Sequence, residues 1–242
     1  MSKNRFNALA IVMGLFLGFA HAQADSPWSA QVDSLFLKSY TGLGTVTDNV
    51  TNYQLASRFS ISRLIGENNL GVRFTYFNWD DTGVDAVNGL QTADINNTDF
   101  EFFKRINLSN FTAFEFSSGI RYSDSETNFG AFGDQDFTGT GALIGGKAFF
   151  KMGSRSLLYS KAKLAILAGD GRDATPGDND VLRSQTELGL GIQQNYCIRG
   201  INIVPLAGFE WMNFEGYGPS TAFDPSTDLG LWGFVSGLGI NF

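Results

Sequence analysis

The sequence predicts an all-β chain: a transmembrane antiparallel up-and-down β-barrel of about ten strands, following a cleaved signal peptide. Three observations predict it. Apolar and polar side chains alternate with a period of two in successive segments, the connections between those segments alternate between short and long, and an alternating apolar last segment stops on Phe242. The chain has 242 residues, 43% of them hydrophobic, with 29 Gly and only 5 Pro, which fits one globular-sized unit and not a disordered or collagen-like one.

The amino terminus differs from the rest. Lys3 and Arg5 precede an apolar run from Ala8 to Ala20, then Ala20-His21-Ala22-Gln23-Ala24, which supplies the basic, apolar and small-residue parts of a secretory signal. A membrane-spanning helix needs about 20 apolar residues, more than this run offers. The expected division is therefore a signal peptide over 1–24, cleaved near Ala24 or Ala22, and a barrel over 25–242. Removing Lys3 and Arg5 from the 17 bases leaves 15 against 24 acids, a formal charge of −9 that argues against a nucleic-acid partner. Cys197 is the only cysteine, so neither an internal disulfide nor a lipid-modified amino-terminal cysteine is expected. His21 is the only histidine, and its loss with the signal leaves no imidazole for general-base or metal chemistry.

The expected strands run over 28–40, 50–64, 69–79, 99–108, 110–122, 136–150, 156–168, 182–195, 201–213 and 229–242. In the first, Asp33, Leu35 and Leu37 share a parity, which suggests a bulge. The second sets Tyr53, Leu55, Phe59 and Ile61 against Gln54, Arg58 and Ser60, and the third sets Leu70, Val72, Phe74 and Tyr76 against Arg73 and Thr75. In the fourth, Phe100, Phe102, Ile106 and Leu108 oppose Asp99, Glu101 and Arg105. The fifth is the clearest: Thr112, Phe114, Phe116, Ser118, Ile120 and Tyr122 face away from Ala113, Glu115, Ser117, Gly119 and Arg121. A helix would mix these two sets, whereas a strand separates them. The sixth carries Lys147 among small residues. The seventh opposes Leu158, Ala162, Leu164 and Ile166 to Tyr159, Lys161 and Lys163, and the eighth opposes Leu188, Leu190 and Ile192 to Arg183, Gln185 and Glu187. Pro205 suggests a second bulge in the ninth, because it cannot donate to a ladder. The tenth has Trp232, Phe234, Leu238, Ile240 and Phe242 on one face and mostly Gly on the other.

Connections at 65–68, 109, 151–155 and 196–200 are short, and those at 41–49, 80–98, 123–135, 169–181 and 214–228 are long. Outer-membrane barrels have short periplasmic turns and longer outside loops, so both chain ends are expected on the periplasmic side. The charges within strands share one face: Asp33, Arg58, Arg73, Asp99, Glu101, Arg105, Glu115, Arg121, Lys147, Lys161, Lys163, Arg183, Glu187 and Glu210. An Arg or Lys facing lipid at the midplane costs about 2–4 kcal/mol, which assigns these side chains to the lumen. Trp28, Tyr53, Tyr76, Tyr122, Trp211 and Trp232 fall on the other face near strand ends, as interfacial girdles require. Phe234, Leu238, Ile240 and Phe242 form the alternating ending expected of a barrel-assembly signal.

The second half resembles the Legionella-type major outer-membrane proteins and their planctomycete barrel relatives. The resemblance rests on Gly119-Ile120-Arg121-Tyr122, Asp136-Phe137-Thr138-Gly139-Thr140-Gly141, Gly153-Ser154-Arg155-Ser156-Leu157-Leu158-Tyr159, Glu187-Leu188-Gly189-Leu190-Gly191, Gly208-Phe209-Glu210-Trp211 and Gly237-Leu238-Gly239-Ile240-Asn241-Phe242. It covers about half the chain. It implies an outer-membrane barrel and a pore-forming role, although the mature chain is short for that family and has one cysteine where some members use several.

Few residues suggest chemistry. Gly139-Thr140-Gly141 lacks the third glycine and the helix of a phosphate loop. Small barrels that are enzymes use an Asp–His pair, as in omptin proteases, or a Ser–His pair, as in lipid A deacylases. Neither can be assembled here, so no enzyme activity and no cofactor are expected. The long connections hold Asp48, Asp80, Asp81, Asp85, Asp94, Asp124, Glu126, Asp134, Asp170, Asp173, Asp178, Asp180, Glu215, Asp224 and Asp228 against Arg172 alone. Asp170, Asp173, Asp178 and Asp180 offer oxygen ligands for a divalent cation, without EF-hand spacing. The expected function is a narrow passive channel or general constituent of the outer membrane. The alternative is a non-conducting barrel whose acidic loops bind a surface partner or divalent cations. Outer-membrane lipids and the barrel-assembly machinery are the expected partners.

Overall fold

A computed structural model describes residues 28–41, 53–65, 69–81, 92–128, 134–172, 179–217 and 228–242. The expected signal peptide, and Asp48, Asp85, Asp173, Asp178 and Asp224, lie outside the described residues. The strands are β1 (Trp28–Thr41), β2 (Gln54–Ile65), β3 (Leu70–Asp81), β4 (Thr92–Asn107), β5 (Thr112–Asn128), β6 (Asp134–Lys151), β7 (Ser156–Arg172), β8 (Asn179–Gln194), β9 (Tyr196–Ile198), β10 (Ile201–Glu215) and β11 (Leu229–Asn241). Each pairs antiparallel with its neighbours, and β11 pairs with both β10 and β1, so the sheet closes on itself. Strand β9 continues β8: Tyr196 to Ile198 keep with β10 the register in which Gln193 faces Leu206. The result is the expected up-and-down barrel of ten staves. At the seam Trp28 and Phe242 exchange backbone hydrogen bonds of 2.9 and 3.0 Å, so the terminal Phe fastens the last strand to the first. Closure pairs the backbone groups that an open edge would leave bare in hydrocarbon.

The strands are steeply tilted. Following directly paired residues from Arg105 on β4 leads through Glu115, Lys147, Lys161, Gly189, Glu210, Gly233 and Leu37 to Gln54, at the opposite end of β2. This stagger is what a closed barrel of few strands requires. The outward face carries the apolar side chains, among them Leu55, Phe102, Phe116, Ile120, Ile144 and Phe234. The six girdle aromatics named above also lie on this outward parity. Such a wall is suited to lipid and not to water.

Two expectations are corrected. Neither bulge exists: β1 keeps one register against β2 and β11 throughout, with Asp33, Leu35 and Leu37 all facing inward, because the lumen there is apolar. Pro205 keeps its register against Leu238; the only disturbance is the break between β8 and β9 at Asn195, in the stretch facing Val204 and Pro205, where proline has no N–H to give. The second correction is strand length. β4 begins at Thr92, β5 runs to Asn128, and β7 and β8 run to Arg172 and from Asn179, so Asp80, Asp81, Asp94, Asp124, Glu126, Asp134, Asp170, Asp180 and Glu215 belong to strands and not to loops. Backbone pairing continues past the apolar belt on Asn, Thr, Ser and Asp, which carry no hydrophobic alternation to reveal it. Connections remain unequal at the two ends, hereafter the long-loop end and the short-turn end.

Candidate functional site

All fourteen charged residues assigned to the lumen by parity point inward, on the parity of the buried face. Eleven of them form one chain of alternating sign. It starts at Asp33 on β1, whose carboxylate accepts hydrogen bonds from Arg58 on β2 at 2.7 Å; Arg58 reaches Glu210 on β10 at 2.7 Å. Glu210 accepts from Lys161 on β7 at 2.8 Å, Lys161 lies 3.8 Å from Glu187 on β8, and Glu187 accepts from Arg121 on β5 at 2.5 Å. Arg121 donates to Asp99 on β4 at 2.6 Å, and Asp99 accepts from Lys163 at 3.0 Å. Lys163 also donates to Glu101 at 2.7 Å, and Arg73 on β3 lies 4.0 Å from Glu101 and donates to Glu115 at 2.5 Å.

Register explains part of this chain. Asp33 with Arg58, Asp99 with Arg121, and Arg73 with Glu101 are direct cross-strand neighbours. The contacts Arg58–Glu210, Arg121–Glu187 and Lys163–Asp99 instead cross the lumen, and only closure of the barrel brings them together. Glycines make the room. A Cβ at Gly237 would strike the Asp33 carboxylate, and one at Gly191 or Gly208 would strike the Tyr159 hydroxyl. Of the remaining three bases, Arg105 lies over the Phe149 ring at 4.6 Å, and Arg183 lies over Phe137 at 4.9 Å and Tyr217 at 4.7 Å. Lys147 sits in register between Glu115 and Lys161 and lines a cavity of about 70 Å³ with Arg58, Arg73, Arg121 and Gln193. That volume has room for roughly two to five waters.

The apolar part of the lumen was not legible as such in the sequence. Between the ion chain and the long-loop end stand Leu35, Leu37, Trp79, Ile95, Phe137, Leu167, Phe214, Leu229 and Leu231, each at most 1% exposed. Each large apolar side chain withdrawn from water contributes about 1.5–3 kcal/mol. Tyr217 completes this plug. It follows β10 directly, turns inward after Gly216, whose φ of 78° suits glycine, and is 1% exposed. Its ring meets Phe137 and Phe214 edge-on at 5.5 Å each, and its hydroxyl accepts a 2.7 Å hydrogen bond from Gln185. Gln185 in turn accepts from Arg121 at 2.9 Å, which ties the plug to the ion chain.

The other singled-out residues are less concentrated. Phe234 and Leu238 of the ending face outward and are exposed, while Ile240 on the same parity is half-buried. Asp170 and Asp180 are direct cross-strand neighbours on β7 and β8, but their expected companions Asp173 and Asp178 lie outside the described residues. Among the described residues no group of three or more metal-ligating side chains occurs.

A closed antiparallel wall with an apolar exterior and an ion-paired interior defines a transmembrane β-barrel with a filled lumen. No family model and no curated protein matches the chain. Its fold is similar to several solved barrels. The outer membrane protease OmpT of Escherichia coli is 8% identical over 89% of this chain and 96% of its own, with a TM-score of 0.48. The translocator domain of the autotransporter NalP of Neisseria meningitidis is 11% identical over 98% and 96%, with a TM-score of 0.46. Neisserial surface protein A is 10% identical over 89% and 97%, with a TM-score of 0.37.

Proposed function

We propose that this protein is an integral outer-membrane barrel closed to solutes, a constituent of the envelope whose lumen serves stability and whose strands carry an acidic wall beyond the membrane. The observation that carries this reading is the plug: a layer of apolar side chains at most 1% exposed, closed by Tyr217, lies across the long-loop half of the lumen. Ten strands lie near the number, about eight, at which side chains just fill a barrel. The narrow passive channel expected from the sequence needs a water path, and the described lumen offers the cavity lined by Lys147 as part of one. That cavity favours, as a second reading, a conducting state reached when Tyr217 withdraws.

The test is solute uptake by vesicles carrying the folded chain. The closed reading expects swelling rates in arabinose no greater than those of protein-free vesicles. Uptake that rises with the protein-to-lipid ratio would replace it with the channel reading. Recovery of the exported chain as a soluble periplasmic protein would remove both.

A further inference from the structure

We propose that the short-turn rim is a docking surface for anionic phospholipid headgroups, so that this end of the barrel sits in an anionic phospholipid leaflet. The proposal rests on the membrane-barrel reading above. Five exposed bases ring this end on different staves and turns: Arg63 on β2, Lys104 on β4, Lys151 at the end of β6, Arg155 in the following turn, and Arg199 between β9 and β10. Among the described residues no Asp or Glu side chain stands on this rim, and Glu67 lies outside the described residues.

The turns between these bases, and the end of β9, carry apolar side chains that project outward: Phe111 at 68% exposed, Met152 at 64%, Leu108 at 63% and, on β9, Ile198 at 54%. Turns that faced only water would not be expected to hold them. Two of the bases lie over aromatic rings, Arg63 over Trp28 at 5.2 Å and Arg155 over Tyr196 at 5.8 Å. Aromatic rings and snorkelling bases are the side chains that suit a headgroup layer, with the apolar part towards the acyl chains and the charge towards phosphate.

The other end has the opposite character. Asp80, Asp94, Glu126 and Asp136 are successive cross-strand neighbours on β3, β4, β5 and β6. Among the described residues, the exposed bases and the projecting apolar side chains of the turns coincide at the short-turn end. The ring encircles the wall and continues its apolar belt, which matches a surrounding lipid layer better than a protein bound to one side. Basic residues near an anionic membrane surface are each attracted to it, within a Debye length of about 10 Å at 0.1 M salt.

The experiment uses the folded full-length mature chain in vesicles, with brominated phosphatidylglycerol or brominated phosphatidylcholine as quencher of tryptophan fluorescence. The expected relative association constant favours phosphatidylglycerol by about threefold or more, falling towards one in 0.5 M NaCl. The combined Lys151→Gln, Arg155→Gln and Arg199→Gln variant should lose most of the preference while keeping the heat-modifiable folded band; single Arg155→Glu serves if the triple variant folds poorly. A ratio near one in the folded wild type, or a preference unchanged in the folded variants, overturns the proposal while leaving the barrel intact. Loss of the preference on adding millimolar glycerol phosphate would also overturn it, by revealing a site for free phosphate in place of a lipid surface. A chain that inserts into neither kind of vesicle would instead defeat the membrane reading itself.

Discussion

Replacing Arg121 with Met should destabilise the folded barrel by about 3 kcal/mol. Arg121 is 2% exposed and donates four hydrogen bonds: 2.6 and 2.8 Å to Asp99, 2.5 Å to Glu187 and 2.9 Å to Gln185. Methionine fills much of the same length but leaves two carboxylates without their main partner. Breaking a buried ion pair by removing one member costs about 3–5 kcal/mol. The lower end applies here, because Asp99 keeps Lys163 at 3.0 Å and Glu187 keeps Lys161 at 3.8 Å. The folded fraction, read from the heat-modifiable gel band across a urea titration in vesicles, gives the difference directly. If the cost comes from the stranded carboxylate, Arg121→Met combined with Glu187→Gln should be less damaging than the two single changes added, with a coupling of about 0.5–3 kcal/mol. A single variant within about 0.5 kcal/mol of the parent, or strictly additive changes, would refute the claim that the alternating chain holds the lumen together.

Tyr217→Ala removes two edge-on ring contacts and the Gln185 hydrogen bond; it should cost about 3–5 kcal/mol, as large aromatic truncations do, and admit small solutes in the swelling assay. Gly119→Val should prevent efficient refolding, since even a Cβ at this position runs into the Phe100 carbonyl, which is backbone and cannot move aside. Refolding yield in detergent checks it. Cys197 is exposed at the short-turn end, so an impermeant maleimide should label it only after the outer membrane is permeabilised, and labelling in intact cells would reverse the orientation. Protease added outside should cut within 82–91 before any segment at the short-turn end.

Side-chain parity carried much of this structure. Period-two alternation puts Arg58, Glu115, Lys161 and Glu210 on one face because a strand presents every second residue to the same side. Which of them meet was hidden, since Arg58 and Glu210 are 152 residues apart and touch only across the closed lumen. Alternation also failed to show that the lumen is partly apolar. Leu35 and Leu37 share the face of Asp33, and a hydrophobic residue carries no mark of whether it faces lipid or a filled interior. An apparent defect in β1 was therefore an inward apolar face in an unbroken strand. The strand extensions at Thr92–Thr98 and Ser123–Asn128 went unseen for the complementary reason: the outward face is polar there, and the inward Ala93 and Ile95 are too few to reveal the ladder that continues.

Single-channel recording in a planar bilayer tests the central claim, a lumen closed by its own side chains, most directly. The unmodified chain should give no steady conductance above the bare bilayer, and Tyr217→Ala should give small steps at the same protein concentration. A large, steady conductance in the unmodified chain would contradict the account, because the apolar layer from Leu35 to Leu231 leaves no room for it.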